Sequence, residues 1–159
     1  MKSCCLYEFK KWRNRDWSTK FWNIKKYNEN EILPLYKSVG WTTYTSNPEM
    51  LRKAFENSLK IYAAYVCMRP MGIIRAVGDG HSIVYIQDLL VHPNIRRNGI
   101  GWALLMRMMD TYKDVYQRVL LADHTLKTSR FYKSMGFQQT SELNCKAYLK
   151  VYHKPMERT

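Results

Sequence analysis

"VHPNIRRNGIGWALLMRMM" (Val91–Met109) passes from an extended apolar run into a helix by way of two arginines, an asparagine and two glycines. A helix start leaves its first N–H groups without partners and carries a partial positive charge, and both suit an anion. Gly99 and Gly101 lack the Cβ atoms that would hold a phosphate away from those groups, and Arg96 and Arg97 add charge. No Lys-Ser or Lys-Thr follows the second glycine, so this is not a P-loop. Leu104 stands where the third glycine of a G-x-G-x-x-G fingerprint belongs. Taken alone, the stretch reads equally as a phosphate cradle or as a helix start with a tight turn.

Downstream, Ile100, Leu104, Leu105, Met108 and Tyr112 oppose Arg107, Asp110, Lys113 and Asp114, the pattern of an amphipathic helix. "QRVLLA" (Gln117–Ala122) reads as a strand. "TLKTSRFYKSM" (Thr125–Met135) reads as a short helix stopped by Gly136, and "FQQTS" and "CKAYLKVYH" as two closing strands. Upstream, "IYAAYVC" (Ile61–Cys67) and "GIIRAVG" (Gly72–Gly78) are β-rich runs around a Pro-containing turn, and Asp79-Gly80 signals a hairpin into "HSIVYIQDLLV" (His81–Val91). Before these, "FWNIKKY" (Phe21–Tyr27) reads as a first strand. Asn28–Gly40 reads as a helix with an awkward Pro34, and Ser46–Leu59 as a helix capped by Asn47 with Pro48 at its first position. The order β-α-α-β-β-β-α-β-α-β-β, with about seven strands and about four helices, is an α/β fold in the sense of an α+β mixed sheet with helices on its faces.

The 159 residues, 46% hydrophobic and 14% aromatic, have a folded globular composition and the length of one domain. We expect residues 1–20 to be a basic, aromatic extension and 21–159 a single domain. Lys and Arg number 26 against 13 Asp and Glu, and the net charge of +13 favours anionic partners without choosing among them. Cys4, Cys5, Cys67 and Cys145 lack C-x-x-C spacing and no two histidines adjoin, so no metal site is expected and the thiols read as reduced. The N-terminus has no apolar core ahead of its charges, and no run approaches the roughly 18 apolar residues of a membrane span. The expected location is cytoplasmic, without a membrane partner.

Arg96-Arg97-Asn98-Gly99-Ile100-Gly101, preceded by "IQDLLVHP" and followed some thirty residues later by "FYKSMGF", resembles the GNAT superfamily of acetyl-CoA-dependent N-acetyltransferases. The likeness runs in element order from about Trp22 to Tyr152 and is most specific from Ile86 to Phe137, and "LYKSVGWTTYT" (Leu35–Thr45) resembles the acceptor side of small bacterial members. The resemblance implies acetyl-CoA as cosubstrate. It implies that the amides of Arg97, Asn98, Gly99, Ile100, Gly101 and Trp102 hold the pyrophosphate, with Arg96 leading the motif, and that Leu89, Leu90 and Val91 offer main chain to the pantetheine arm. It also leaves room for a homodimer.

Transfer of an acetyl group to an amine needs a base for the amine, a donor for the oxyanion and a proton for the leaving thiolate. The resemblance makes Tyr132 the acid; its other reading is a core aromatic on a helix stripe. Asp88 is the candidate base, acting directly or through water. On an unbulged strand it shares a face with Val84, Ile86 and Leu90, and a structural carboxylate is the alternative. Trp41 and Tyr44 are candidates for the acceptor wall, Glu29 or Glu31 for attracting a cationic amine, and His124 for a contact beyond the strand, although packing or solvation explains each as well. The rival function is a catalytically silent module of the same fold that binds nucleic acid through its basic, aromatic surface. No nucleic-acid fold signature appears, and a basic surface suits the phosphates of coenzyme A too, so the enzyme reading leads.

Overall fold

The computed structural model describes residues 20–24 and 26–151; apart from Lys20, the N-terminal extension lies outside them. The chain divides into two compact units, Met1–Leu121 and Ala122–Thr159.

In the first unit the described elements are β1 (Lys20–Asn23), α1 (Glu29–Ser38), α2 (Thr42–Thr45), α3 (Pro48–Glu56), β2 (Lys60–Val66), β3 (Arg69–Gly78), β4 (Ile83–Val91), α4 (Ile100–Thr111) and β5 (Gln117–Leu120). The strands form one sheet in chain order, antiparallel from β1 to β4, with β5 parallel to β4. The mixed α/β class agrees with the sequence, but the sheet has five described strands against about seven expected.

Several boundaries depart from the sequence reading for local reasons. The first strand ends at Asn23, well before Tyr27. Pro34 sits inside α1 on its exposed side, where its missing N–H is least costly. Asn28 caps α1 by position only, its amide going to Glu31 at 2.8 Å, whereas the Asn47 side chain accepts from the Met50 amide at 3.1 Å as expected. The turn between β2 and β3 is Cys67-Met68, with φ of 49° and 62°, the left-handed pair that a two-residue hairpin requires. Pro70 therefore lies within β3, opposite Tyr65, where the register slips.

Two layers of side chains cover the sheet. Gly72 brings α4 close to β3: a Cβ built there would lie 2.9 Å from Ile100 Cγ2 and 3.1 Å from Leu104 Cδ1. Ile100, Leu104, Leu105 and Met108 of α4 are buried, as their periodicity predicts. On the opposite face Ile61, Ala63, Ile73 and Leu90 pack with Ile32, Leu35 and Tyr36 of α1 and with Leu51 and Phe55 of α3.

One irregularity decides what β4 offers to each layer. Asp88 pairs with Arg75, but Ile86 pairs with Ala76, so Gln87 is an inserted residue and the strand is bulged. Directly opposed residues of an antiparallel pair share a face. Ile86 and Val84 thus face α4 with Ala76, while Asp88 and Leu90 face α1 and α3 with Arg75 and Ile73. This corrects the unbulged strand of the sequence reading: Asp88 keeps Leu90 as a same-face neighbour and loses Val84 and Ile86.

The second unit contains α5 (Leu126–Ser134), capped by Thr125, whose hydroxyl accepts from the Thr128 amide at 3.1 Å, and ending before Gly136, where φ is +84°. The two closing strands are not formed among the described residues. Gln139 and Glu142 instead close a 3-10 turn over Thr140–Leu143, Glu142 also pairs with Lys133 at 2.6 Å, and Asn144 turns left-handed, which breaks an extended run. Residues 145–151 pair with no described strand, and residues 152 and 153 of that expected strand lie outside the described residues.

Candidate active site

Beyond Ile86, which pairs with Leu120, β4 has no β5 partner among the described residues, so the side of Gln87 to Val91 that would face β5 is an open edge. Leu89 and Val91 are half-buried and Leu90 is buried, its side chain committed to the core. The chain then makes a 3-10 turn at Pro93–Ile95 and enters α4 through Arg96, Arg97, Asn98 and Gly99.

Gly99 is the N-cap of α4 with φ of +79°, a conformation that costs a side-chain-bearing residue energy, and a Cβ there would meet nothing within 4 Å. Arg97 also adopts positive φ, 66°. Ala103 is the first residue of the helix whose N–H reaches back to a carbonyl, that of Gly99 at 2.9 Å, so the amides of Ile100, Gly101 and Trp102 have no intrahelical partner. Arg96 uses Nε to brace the loop, donating to the Val91 carbonyl at 3.2 Å, a structural task absent from the sequence reading. A β-edge that runs into a helix start fits a long ligand with an amide-bearing arm and a diphosphate, and the open space over Gly99 agrees with such a fit.

On the other face, Asp88 is enclosed. Its Oδ2 accepts from Arg75 Nε at 2.6 Å and from Tyr36 Oη at 2.7 Å, and the two charged side chains are 5% and 0% exposed. Oδ1 has no hydrogen-bond partner among the described residues. Arg75 Nη1 reaches the Ala54 carbonyl at 3.3 Å and the Ser58 hydroxyl at 3.2 Å. Burial opposes its charge, and the neighbouring Asp88 carboxylate outweighs that, leaving the guanidinium more basic than usual.

Tyr44 stands at the rim. Its ring contacts Tyr36 edge-on at 5.4 Å and lies 5.8 Å from Trp41, and its hydroxyl accepts from Gln87 Nε2 at 3.1 Å. Burial first, and then the Asp88 charge, push its phenol above the ordinary value, so it is a neutral donor. The structure thus brings Asp88, Trp41 and Tyr44 into one layer and adds Arg75, Tyr36 and Gln87, which the sequence reading did not single out. The one available signal was an arginine inside the apolar strand "GIIRAVG". Glu31 is already taken, accepting from Tyr65 at 3.0 Å and Asn28 at 2.8 Å, and Glu29 is exposed.

In the second unit, Tyr132 packs edge-on against Phe131 and Phe137 with ring centres 5.0 and 5.8 Å apart. Burial and then the Asp123 charge raise its phenol, which remains protonated at neutral pH. His124 is exposed. Among the described residues no group of three His, Cys, Asp or Glu is placed to hold a metal ion, and no helix is long and apolar enough to cross a membrane.

The sequence from residue 24 to residue 159 matches the family model of the acetyltransferase (GNAT) domain. The chain belongs to the GNAT acetyltransferases. Among solved structures, this acetyltransferase is similar to a GNAT family protein of Streptococcus pneumoniae, with 36% identity, a TM-score of 0.76, and coverage of 85% of this chain and 98% of the other. A protein from methicillin-resistant Staphylococcus aureus shares the fold at 22% identity, with a TM-score of 0.69 over 84% and 99% of the two chains. An aminoglycoside acetyltransferase from an uncultured soil metagenomic sample shares it at 19% identity, with a TM-score of 0.59 over 89% and 100%. No curated protein gives a significant match. GNAT domains use acetyl-CoA as cosubstrate, which suits an open β4 edge continuing into the start of α4.

Proposed function

We propose that this acetyltransferase moves the acetyl group of acetyl-CoA directly to a primary amine, with Asp88 as base and Tyr132 as acid. The observation that carries the reading is the course of β4: unpaired on one side from Gln87 onward, it leads into a loop that ends on the unpartnered amides of Ile100, Gly101 and Trp102. In this reading the main chain of Leu89, Leu90 and Val91 and the loop Arg96, Arg97, Asn98, Gly99, Ile100, Gly101 and Trp102 hold the cosubstrate, whose thioester supplies an activated acetyl group. The bulge at Gln87 supports the rest, because it turns Asp88 away from the α4 layer toward Trp41 and Tyr44, the proposed acceptor wall. A neutral phenol with a raised pKa suits the role of Tyr132.

The test is an acetylation panel of phenethylamine, spermidine, kanamycin and a lysine-containing peptide, with thiol release and product mass as readouts. Acetyl transfer to at least one amine, at a rate above acetyl-CoA hydrolysis, supports the reading. If no amine is acetylated while nucleic acid raises the melting temperature in a salt-dependent way, the silent binding module takes its place.

A further inference from the structure

The layer between the sheet and α1–α3 encloses more polar chemistry than one base requires. Both protein donors to Asp88 converge on a single oxygen: Arg75 Nε and Tyr36 Oη reach Oδ2, while Oδ1, as deeply buried, meets no donor among the described residues. A carboxylate free to rotate would share its donors between two equivalent oxygens. This one does not, and the cause lies in Arg75. Its Nη1 is tied to the Ala54 carbonyl and the Ser58 hydroxyl, and its guanidinium lies 5.9 Å from the Phe55 ring centre. Because the guanidinium is a planar, rigid fork, anchoring one arm fixes the direction of the other N–H groups. Tyr44 from α2 also bears on the carboxylate, and its hydroxyl accepts from Gln87 Nε2 at the rim.

We propose that Arg75 is a positioning residue for acetyl transfer: by holding Oδ2, it presents the buried Oδ1 as the acceptor for the proton of the incoming amine, passed through one water. This rests on the reading of Asp88 as base. The ammonium form of the acceptor gives one proton to Oδ1 through that water, and the freed nitrogen pair forms the bond to the acetyl carbon as the C–S bond breaks. The nitrogen's second proton goes to solvent, the sulfur takes the Tyr132 proton, and solvent resets both side chains, with one proton released overall.

Arg75→Lys keeps the charge and removes the fork. With the panel amine that the wild-type chain acetylates fastest, this variant lowers kcat about 10-fold with KM for acetyl-CoA unchanged. In an Asp88→Asn background the same substitution changes kcat by less than about 2-fold, since Arg75 acts only through the carboxylate. Tyr36→Phe removes the other donor to Oδ2, shows the same pattern at smaller size, and decides the matter if Arg75→Lys does not fold. A folded variant with wild-type kcat, or an equal loss in both backgrounds, overturns the role of Arg75. A wild-type chain that acetylates no panel amine overturns the underlying reading instead.

Discussion

Arg75 Nε lies 2.6 Å from Asp88 Oδ2, and the pair is closed off from solvent between β3, β4 and the helices above them. Residues 75 and 88 meet because β4 bulges at Gln87; in an unbulged continuation of the Ala76–Ile86 register, the partner of Arg75 would be Gln87 and Asp88 would face α4. An ion pair this deep has a specific energetic signature.

Removing one member leaves the other charge buried and unmatched. Asp88→Ala or Arg75→Ala should each lower stability by about 3–5 kcal/mol, read from urea midpoints. The double replacement Arg75→Met/Asp88→Leu should recover most of that loss while abolishing turnover. If either single variant is as stable as wild type, the pair is not enclosed as described.

Gly72 lets α4 approach the sheet. The 2.9 Å and 3.1 Å contacts that its Cβ would make with Ile100 and Leu104 predict that Gly72→Ala costs about 1–3 kcal/mol and weakens acetyl-CoA binding, because the side chains pushed away belong to the helix start. Unchanged cosubstrate affinity in a destabilised variant would separate the packing role from the site.

Burial, with the Asp88 charge and hydrogen bond, raises the Tyr36 phenol well above its ordinary value, and burial and Glu31 push Tyr65 up to about 12. A phenol that holds its proton more tightly when folded contributes fully at pH values below its unfolded pKa of about 10, and that contribution is lost as pH rises from there through the folded value. Stability should therefore decline between pH 10 and 12, more steeply in wild type than in Tyr36→Phe. That variant should also lose about 1.5–3 kcal/mol at neutral pH with its bond to a charged group. Equal slopes in the two proteins would remove Tyr36 as the cause.

The parts of the fold legible in the sequence are those with a strong local signal. The apolar stripe of α4, the Asn47-Pro48 start of α3 and the glycines at the helix start each declare themselves within a few residues. The bulge at Gln87 does not, because no Gly or Pro marks it and Val84, Ile86, Asp88 and Leu90 are all buried, as an unbulged strand would also have them. Only pairing with β3 reveals that they divide between two faces. For the same reason nothing in the sequence pairs Arg75 with Asp88. The stretch at residues 137–141 does not form the expected strand, because a short alternating pattern weighs less than the Gln139–Glu142 turn and the Lys133–Glu142 pair that compete with it.

Tyr132→Phe isolates the acid. If the phenol protonates the leaving sulfur, kcat should fall by about 100-fold with acetyl-CoA affinity nearly unchanged, and the basic limb of the pH profile should be lost. Wild-type turnover in this variant would return Tyr132 to its packing role against Phe131 and Phe137.

Isothermal titration of acetyl-CoA into the full chain, wild type beside Gly101→Asp, tests most directly whether the start of α4 holds the cosubstrate. One site per chain in the wild type and a loss of at least about 30-fold in affinity in a folded Gly101→Asp are the predicted result. No binding heat from the wild type, or equal affinity in the two proteins, would contradict it.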